Sequence, residues 1–179
     1  MISTQAKDSI ERIFYKAAQS RLPREAGDSC EIVTIPQDAL DAAPEARVVV
    51  LTISSILFRL LLILQFKDDA GTRDYFVKDV AENSFQEIFS EIANLCCGAM
   101  NQELLNYFPD LGMSTPYLLS ARCVSHLQQL NPGFLASYKL TLNHAAQVTA
   151  TVCVCAHAPI DFVADLSAVE ESSGELELF

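Results

Sequence analysis

The run from Val48 to Phe66, VVVLTISSILFRLLLILQF, is long enough to cross a bilayer as one helix, so any fold must find somewhere to hide it. Its composition argues against a membrane. Arg59 would lie near the bilayer centre at a steep free-energy cost, and Thr52, Ser54, Ser55 and Gln65 add further polar groups. β-branched residues crowd its first half, where extended backbone suits them better than a helix. The run is therefore read as two strands, within 47–54 and 56–67.

The rest of the chain falls into place around these strands. Ile10, Ile13, Phe14 and Ala17 follow the helical period within a first helix over 4–22, and Pro23 stops it. A short strand over 31–35 ends at Pro36, and 37–46 reads as a connection. Asp68, Asp69, Ala70 and Gly71 supply turn chemistry. A helical region spans about 75–107, with a break near Asn83 and a restart in which Ser84 and Glu87 form a capping box. Strands are expected near 113–123, 134–143 and 147–157, with turns at 131–133 and 143–146. One helix and three strands are thus followed by one helix and three strands. The expected fold is α+β, a single domain over 1–179 in which two long helices pack on one face of a largely antiparallel sheet. An acidic tail, 170–179, is expected to fray.

Charge and cysteine content narrow the function. The formal net charge of −11 repels phosphate-rich partners, which disfavours nucleic acid and anionic membranes and favours a partner offering lysine or arginine. The first residues lack a basic start followed by an apolar run, so a cytoplasmic setting with reduced thiols is expected for the six cysteines. Cys153, Cys155 and His157 share one strand face, but no second cluster with ligand spacing accompanies them. The cysteines are read as buried small hydrophobes rather than a zinc site. No G-x-x-x-x-G-K phosphate loop occurs, and His126, His144 and His157 have no nucleophile in a recognisable motif.

Chemistry concentrates in SFQEIFSEIANLCCGAMNQELLN, residues 84–106. Phe85, Ile88, Phe89, Ile92, Leu95, Cys96 and Ala99 follow the helical period and are expected to be the buried stripe. Glu87, Glu91, Asn94, Gly98 and Asn101 form a second, polar stripe. Gly98 costs about 1 kcal/mol relative to alanine inside a helix. Its use there is explained if another backbone must approach beside Asn94. Glu91 and Asn94 project side by side. A carboxamide can accept from a water while donating to a phosphoryl oxygen, and a neighbouring carboxylate can hold a partner's lysine.

At these residues the chain resembles a known family. Glu91-Ile92-Ala93-Asn94-Leu95-Cys96-Cys97-Gly98 is similar to the E-x-x-N-x-x-x-G helix signature of the CheX, CheC and FliY phosphatases of bacterial chemotaxis. Ser114-Thr115-Pro116, opening the next strand, resembles that family too, as does the repeated α-β-β-β layout. The resemblance implies hydrolysis of the aspartyl phosphate of a CheY-like response regulator. Glu91 would grip a receiver lysine and Asn94 would position the attacking water. Glu87, Gly98 and Asn101 would dock the receiver, and magnesium would be held by the receiver, leaving this chain with no cofactor of its own. No asparagine precedes Asn83, so the first helix offers no second copy of the motif. A single motif resembles the CheX type, which implies a homodimer. Residues 1–46 match nothing else in the family. A second reading stays open, in which the same fold serves as a non-catalytic module that binds a receiver or a switch component.

Overall fold

The computed structural model describes residues 1–36, 46–77 and 84–166. Helix α1 (Thr4–Arg21) is followed by strands β1 (Cys30–Ile35), β2 (Arg47–Ser54) and β3 (Phe58–Phe66). Helices α2 (Ala70–Phe76) and α3 (Ser84–Leu105) come next, then β4 (Gly112–Met113), β5 (Tyr117–Ser120), a 3-10 helix (Ala121–Leu130), β6 (Phe134–Leu142) and β7 (Ala146–Ala156). The long apolar run is β2, a turn and β3, paired antiparallel with Val50 opposite Ile63. None of the described helices is long and apolar enough to cross a membrane.

The sheet order is β1-β6-β7-β3-β2, with β4 and β5 both pairing the outer edge of β2, and every pairing is antiparallel. The third strands of the two repeats, β3 and β7, meet at the centre. Each repeat's first strand crosses to the second strand of the other: β1 lies on β6, and β4–β5 lies on β2. The expected duplication is thus visible as a pseudo-twofold axis between β3 and β7. Alternation along the strands sends Phe58, Leu60, Leu62, Leu64 and Phe66 of β3, with Val148, Ala150, Val152 and Val154 of β7, to the face covered by α1 and α3. All of them are buried.

Local chemistry sets the boundaries. Ser3 caps α1 by accepting from the Ala6 amide at 3.1 Å. The expected turn at 68–71 is shorter than read, because Asp69 caps α2 by accepting from the Thr72 amide at 2.9 Å. The Ser84 cap concerns a side chain outside the described residues. The expected strand near 113–123 is broken twice. β4 and β5 differ by one residue in register against β2, since Met113 pairs Ile53 whereas Tyr117 pairs Val50. That extra residue is a bulge, bridged by Ser114, whose amide donates to the Thr52 carbonyl and whose Oγ accepts from the Thr52 amide. Pro116 lies at the bulge, where no ladder donor is needed. From Ala121 the chain turns into the 3-10 helix rather than continuing as strand. Ala121 and Leu127 sink onto Val48, Val50, Ile63 and Cys153 on the sheet's other face. The turns at 131–133 and 143–146 stand as expected, with Asn131, Asn143 and His144 in the left-handed region.

Two tethers fix α1. Phe14 stacks on buried Tyr138 with ring centroids 4.9 Å apart, and the Tyr138 hydroxyl donates to Glu11 Oε1 at 2.9 Å. Beyond β7 the chain doubles back along α1. The Arg12 guanidinium donates to the Ala164 carbonyl, and Ser9 Oγ accepts from the Ala164 amide. Lys16 pairs with Glu103 and so ties α1 to α3.

Candidate active site

α3 is held by its aromatic start and its small, soft middle. Phe89 stacks on Phe66 of β3 at 3.8 Å between centroids, with Phe85 and Phe76 edge-on to it, and the Arg73 guanidinium lies over the Phe85 ring. Ala93, Cys96, Cys97, Met100 and Leu104 continue the buried line to the helix end. Burial pushes the Cys97 thiol up to about 12 and raises that of Cys96 as well, so both are inert packing groups.

That buried line differs from the one expected. Phe85, Phe89 and Cys96 belong to it, but Ala93, Cys97, Met100 and Leu104 take the places read for Ile88, Ile92, Leu95 and Ala99. At about 100° per residue, the mean directions of the two lines differ by about 80°. Ile88, Ile92 and Ala99 are therefore only partly buried, at the margin of the core, and Leu95 is 50% exposed. The sequence offers no sign of this, because small cysteines and alanines serve as core just as well where a helix lies close to a sheet.

The polar stripe lies on the open side. Glu87 and Glu91 are exposed, and Asn94, Gly98 and Asn101 are partly exposed. Among the described residues, neither the Glu91 carboxylate nor the Asn94 carboxamide has a hydrogen bond or ion pair, so both keep their full capacity for a partner. A Cβ built on Gly98 would meet nothing within 4 Å, so no contact inside the described protein accounts for a glycine there. Asn101 differs from the other four: its Oδ1 is enclosed and has no partner among the described residues. That oxygen faces the protein rather than an incoming molecule.

The alternatives to this site are occupied. Glu11, the first helix's best match to Glu91, accepts from both Tyr138 and Tyr15, and Phe14 three residues on is fully buried. Glu103 and Asn106 repeat the E-x-x-N spacing, but Glu103 is paired with Lys16 and Asn106 lies beyond the helix. Cys153 packs into the apolar cluster beneath the sheet, and Cys155 lies within 3.7 Å of the Leu130 carbonyl. No group of three metal-ligating side chains comes together among the described residues. A shallow depression lined by Arg12, Tyr15, Lys16, Gln19, Ser20 and Leu166 lies on α1, apart from Glu91 and Asn94.

An open antiparallel sheet with α1 and α3 on one face, its strands related by a pseudo-twofold repeat, defines a two-repeat α+β domain. That fold is the fold of the CheX and CheC-like chemotaxis proteins. The chain is similar to the chemotaxis protein CheX of Vibrio vulnificus, with a TM-score of 0.60 and 13% identity over 82% of this chain and 99% of that one. It is also similar to a CheX from Desulfovibrio desulfuricans, with a TM-score of 0.55 and 14% identity over 82% and 99% of the two chains. A third similar structure is the CheX–CheY–BeF3–Mg2+ complex from Borrelia burgdorferi, with a TM-score of 0.50 and 9% identity over 82% and 96%. No family model and no curated protein sequence matches this chain.

Proposed function

We propose that this protein is a cytoplasmic phosphatase that hydrolyses the aspartyl phosphate of a CheY-like response regulator. The observation that carries the proposal is the Glu91–Asn94 pair: side by side on the open face of α3, free of any partner among the described residues, in a fold shared with CheX. CheX in the Borrelia complex is bound to CheY with BeF3 and Mg2+, and a CheY-like receiver is the partner carried over from it.

In this reading Glu91 pairs with a receiver lysine and sets the register. Asn94 enters the receiver's own site, where its carboxamide oxygen accepts from a water and its amide donates to a phosphoryl oxygen. The oriented water forms the new O–P bond in line as the acyl phosphate P–O bond breaks, giving inorganic phosphate and the free aspartate carboxylate. Magnesium belongs to the receiver and neutralises charge there. Glu87 flanks the contact, Gly98 lets the receiver backbone come close, and Asn101 borders the docking face through the exposed part of its side chain.

The protein acts as a homodimer joined along β5. This strand's outer edge is unpaired among the described strands, and Tyr117, Leu118 and Leu119 are 53%, 38% and 43% exposed on it. Phosphate release from phosphorylated CheY-like receivers, with wild type and Asn94→Ala side by side, tests the phosphatase. Wild type accelerates release and the variant loses roughly 100-fold or more, as expected when one preorganised polar group is removed. If the receiver binds but its phosphate lifetime is unchanged, the chain is a non-catalytic receiver-binding module.

A further inference from the structure

α3 carries more apolar surface than the fold covers, and the excess lies against the proposed site. Leu95 is half exposed, is absent from both apolar clusters of the described residues, and follows Asn94 directly. It lies one turn from Glu91, which places it about 6 Å further along the axis. Asn94 is rotated about 60° to one side of Glu91 and Leu95 about 40° to the other, so the three form one patch. Gly98, open above its Cα, lies one turn beyond Asn94.

We propose that Leu95 is the apolar docking residue for the receiver, a role that rests on the phosphatase reading above. An exposed leucine is unremarkable by itself. This one is different because of its place. A partner that brings a lysine to Glu91 and a phosphoryl group to Asn94 must also cover the side chain one turn along between them and the helix end. The occupant is therefore the receiver, and a complementary apolar side chain beside its lysine is required. The two named polar groups supply register and chemistry. In a chain of net charge −11, exposed carboxylates give docking energy that salt screens, whereas burial of Leu95 gives energy that salt does not remove.

The test compares wild type with Leu95→Ala, Leu95→Met and Leu130→Ala. Leu130 is equally exposed but ends the 3-10 helix on the opposite face of the sheet. Two readouts are taken: phosphate release against receiver concentration, and titration of a fluorescent, beryllofluoride-activated receiver in magnesium buffer. Leu95→Ala raises both the half-saturating and the half-binding concentration about five- to tenfold, as expected for the loss of one partly buried leucine. Its kcat stays within about twofold of wild type, Leu95→Met retains binding, and Leu130→Ala behaves as wild type. Unchanged values for Leu95→Ala in both assays overturn the proposal while leaving the phosphatase reading intact. Should wild type bind activated receivers without releasing phosphate, the phosphatase reading fails and the titration alone decides on Leu95. Should it bind no receiver, both fail.

Discussion

Gly98 separates what the fold needs from what the function needs. In the middle of α3 a glycine costs about 1 kcal/mol of helix stability relative to alanine, through the backbone entropy it loses on folding. The cost is not recovered by packing, because a Cβ at this position meets nothing within 4 Å. Gly98→Ala is therefore expected to stabilise the protein by about 1 kcal/mol, raising Tm by about 2–4 °C for a chain of this size. The same methyl group would stand where the receiver backbone approaches Asn94. Crowding a close contact costs about 1–3 kcal/mol, which corresponds to a roughly five- to 150-fold fall in kcat/KM for phosphate release. Gly98→Gln, a good helix former with a longer side chain, retains the stability gain and loses more activity. Thermal denaturation by far-UV circular dichroism and steady-state phosphate release on the same samples measure both effects. A lower Tm for Gly98→Ala would mean that the glycine serves the fold, against the open space seen. A higher Tm with unchanged kcat/KM would remove Gly98 from the docking face and weaken the proposed geometry. The combination of gain and loss is the pattern expected where a functional site retains a locally unfavourable residue.

Two further outcomes follow from the structure. The amide of Thr72, and after it Lys67, hold the Asp69 carboxyl down to about 2. A value depressed below the unfolded one makes the cap's charge contribution complete above about pH 4 and lost as pH falls through about 2. Urea denaturation across that window shows a shallower acid-side decline for Asp69→Asn than for wild type; an equal slope means the cap's charge is not linked to folding. The β5 edge is tested by Leu119→Lys, which places a charge on the exposed edge opposite Val48 and leaves the core untouched. Light scattering then reports a monomer where wild type is a dimer, with the circular dichroism spectrum retained. A wild-type monomer would remove the dimer altogether.

Much of this protein is legible without coordinates because its signals are local. The alternation in β2 and β3, Pro23 and Pro36 as stops, and the asparagine turns each depend on a few neighbouring residues and on backbone sterics. The spacing of Glu91 and Asn94 alone places them on one helix face. Other features were decided by contacts between distant segments. Whether 121–130 continues β5 or folds under the sheet depends on the cavity that Val48, Val50 and Ile63 leave for Ala121 and Leu127. The order β1-β6-β7-β3-β2 requires strands separated by a hundred residues to find each other, and nothing in β1 announces β6. The rotation of α3 is the clearest case. Its sequence is apolar around more than half of its circumference, so periodicity alone admits several buried faces. Close approach to the sheet selected the side with Ala93, Cys97 and Met100, where small and flexible side chains fit, and that choice turned Leu95 outward beside Glu91 and Asn94.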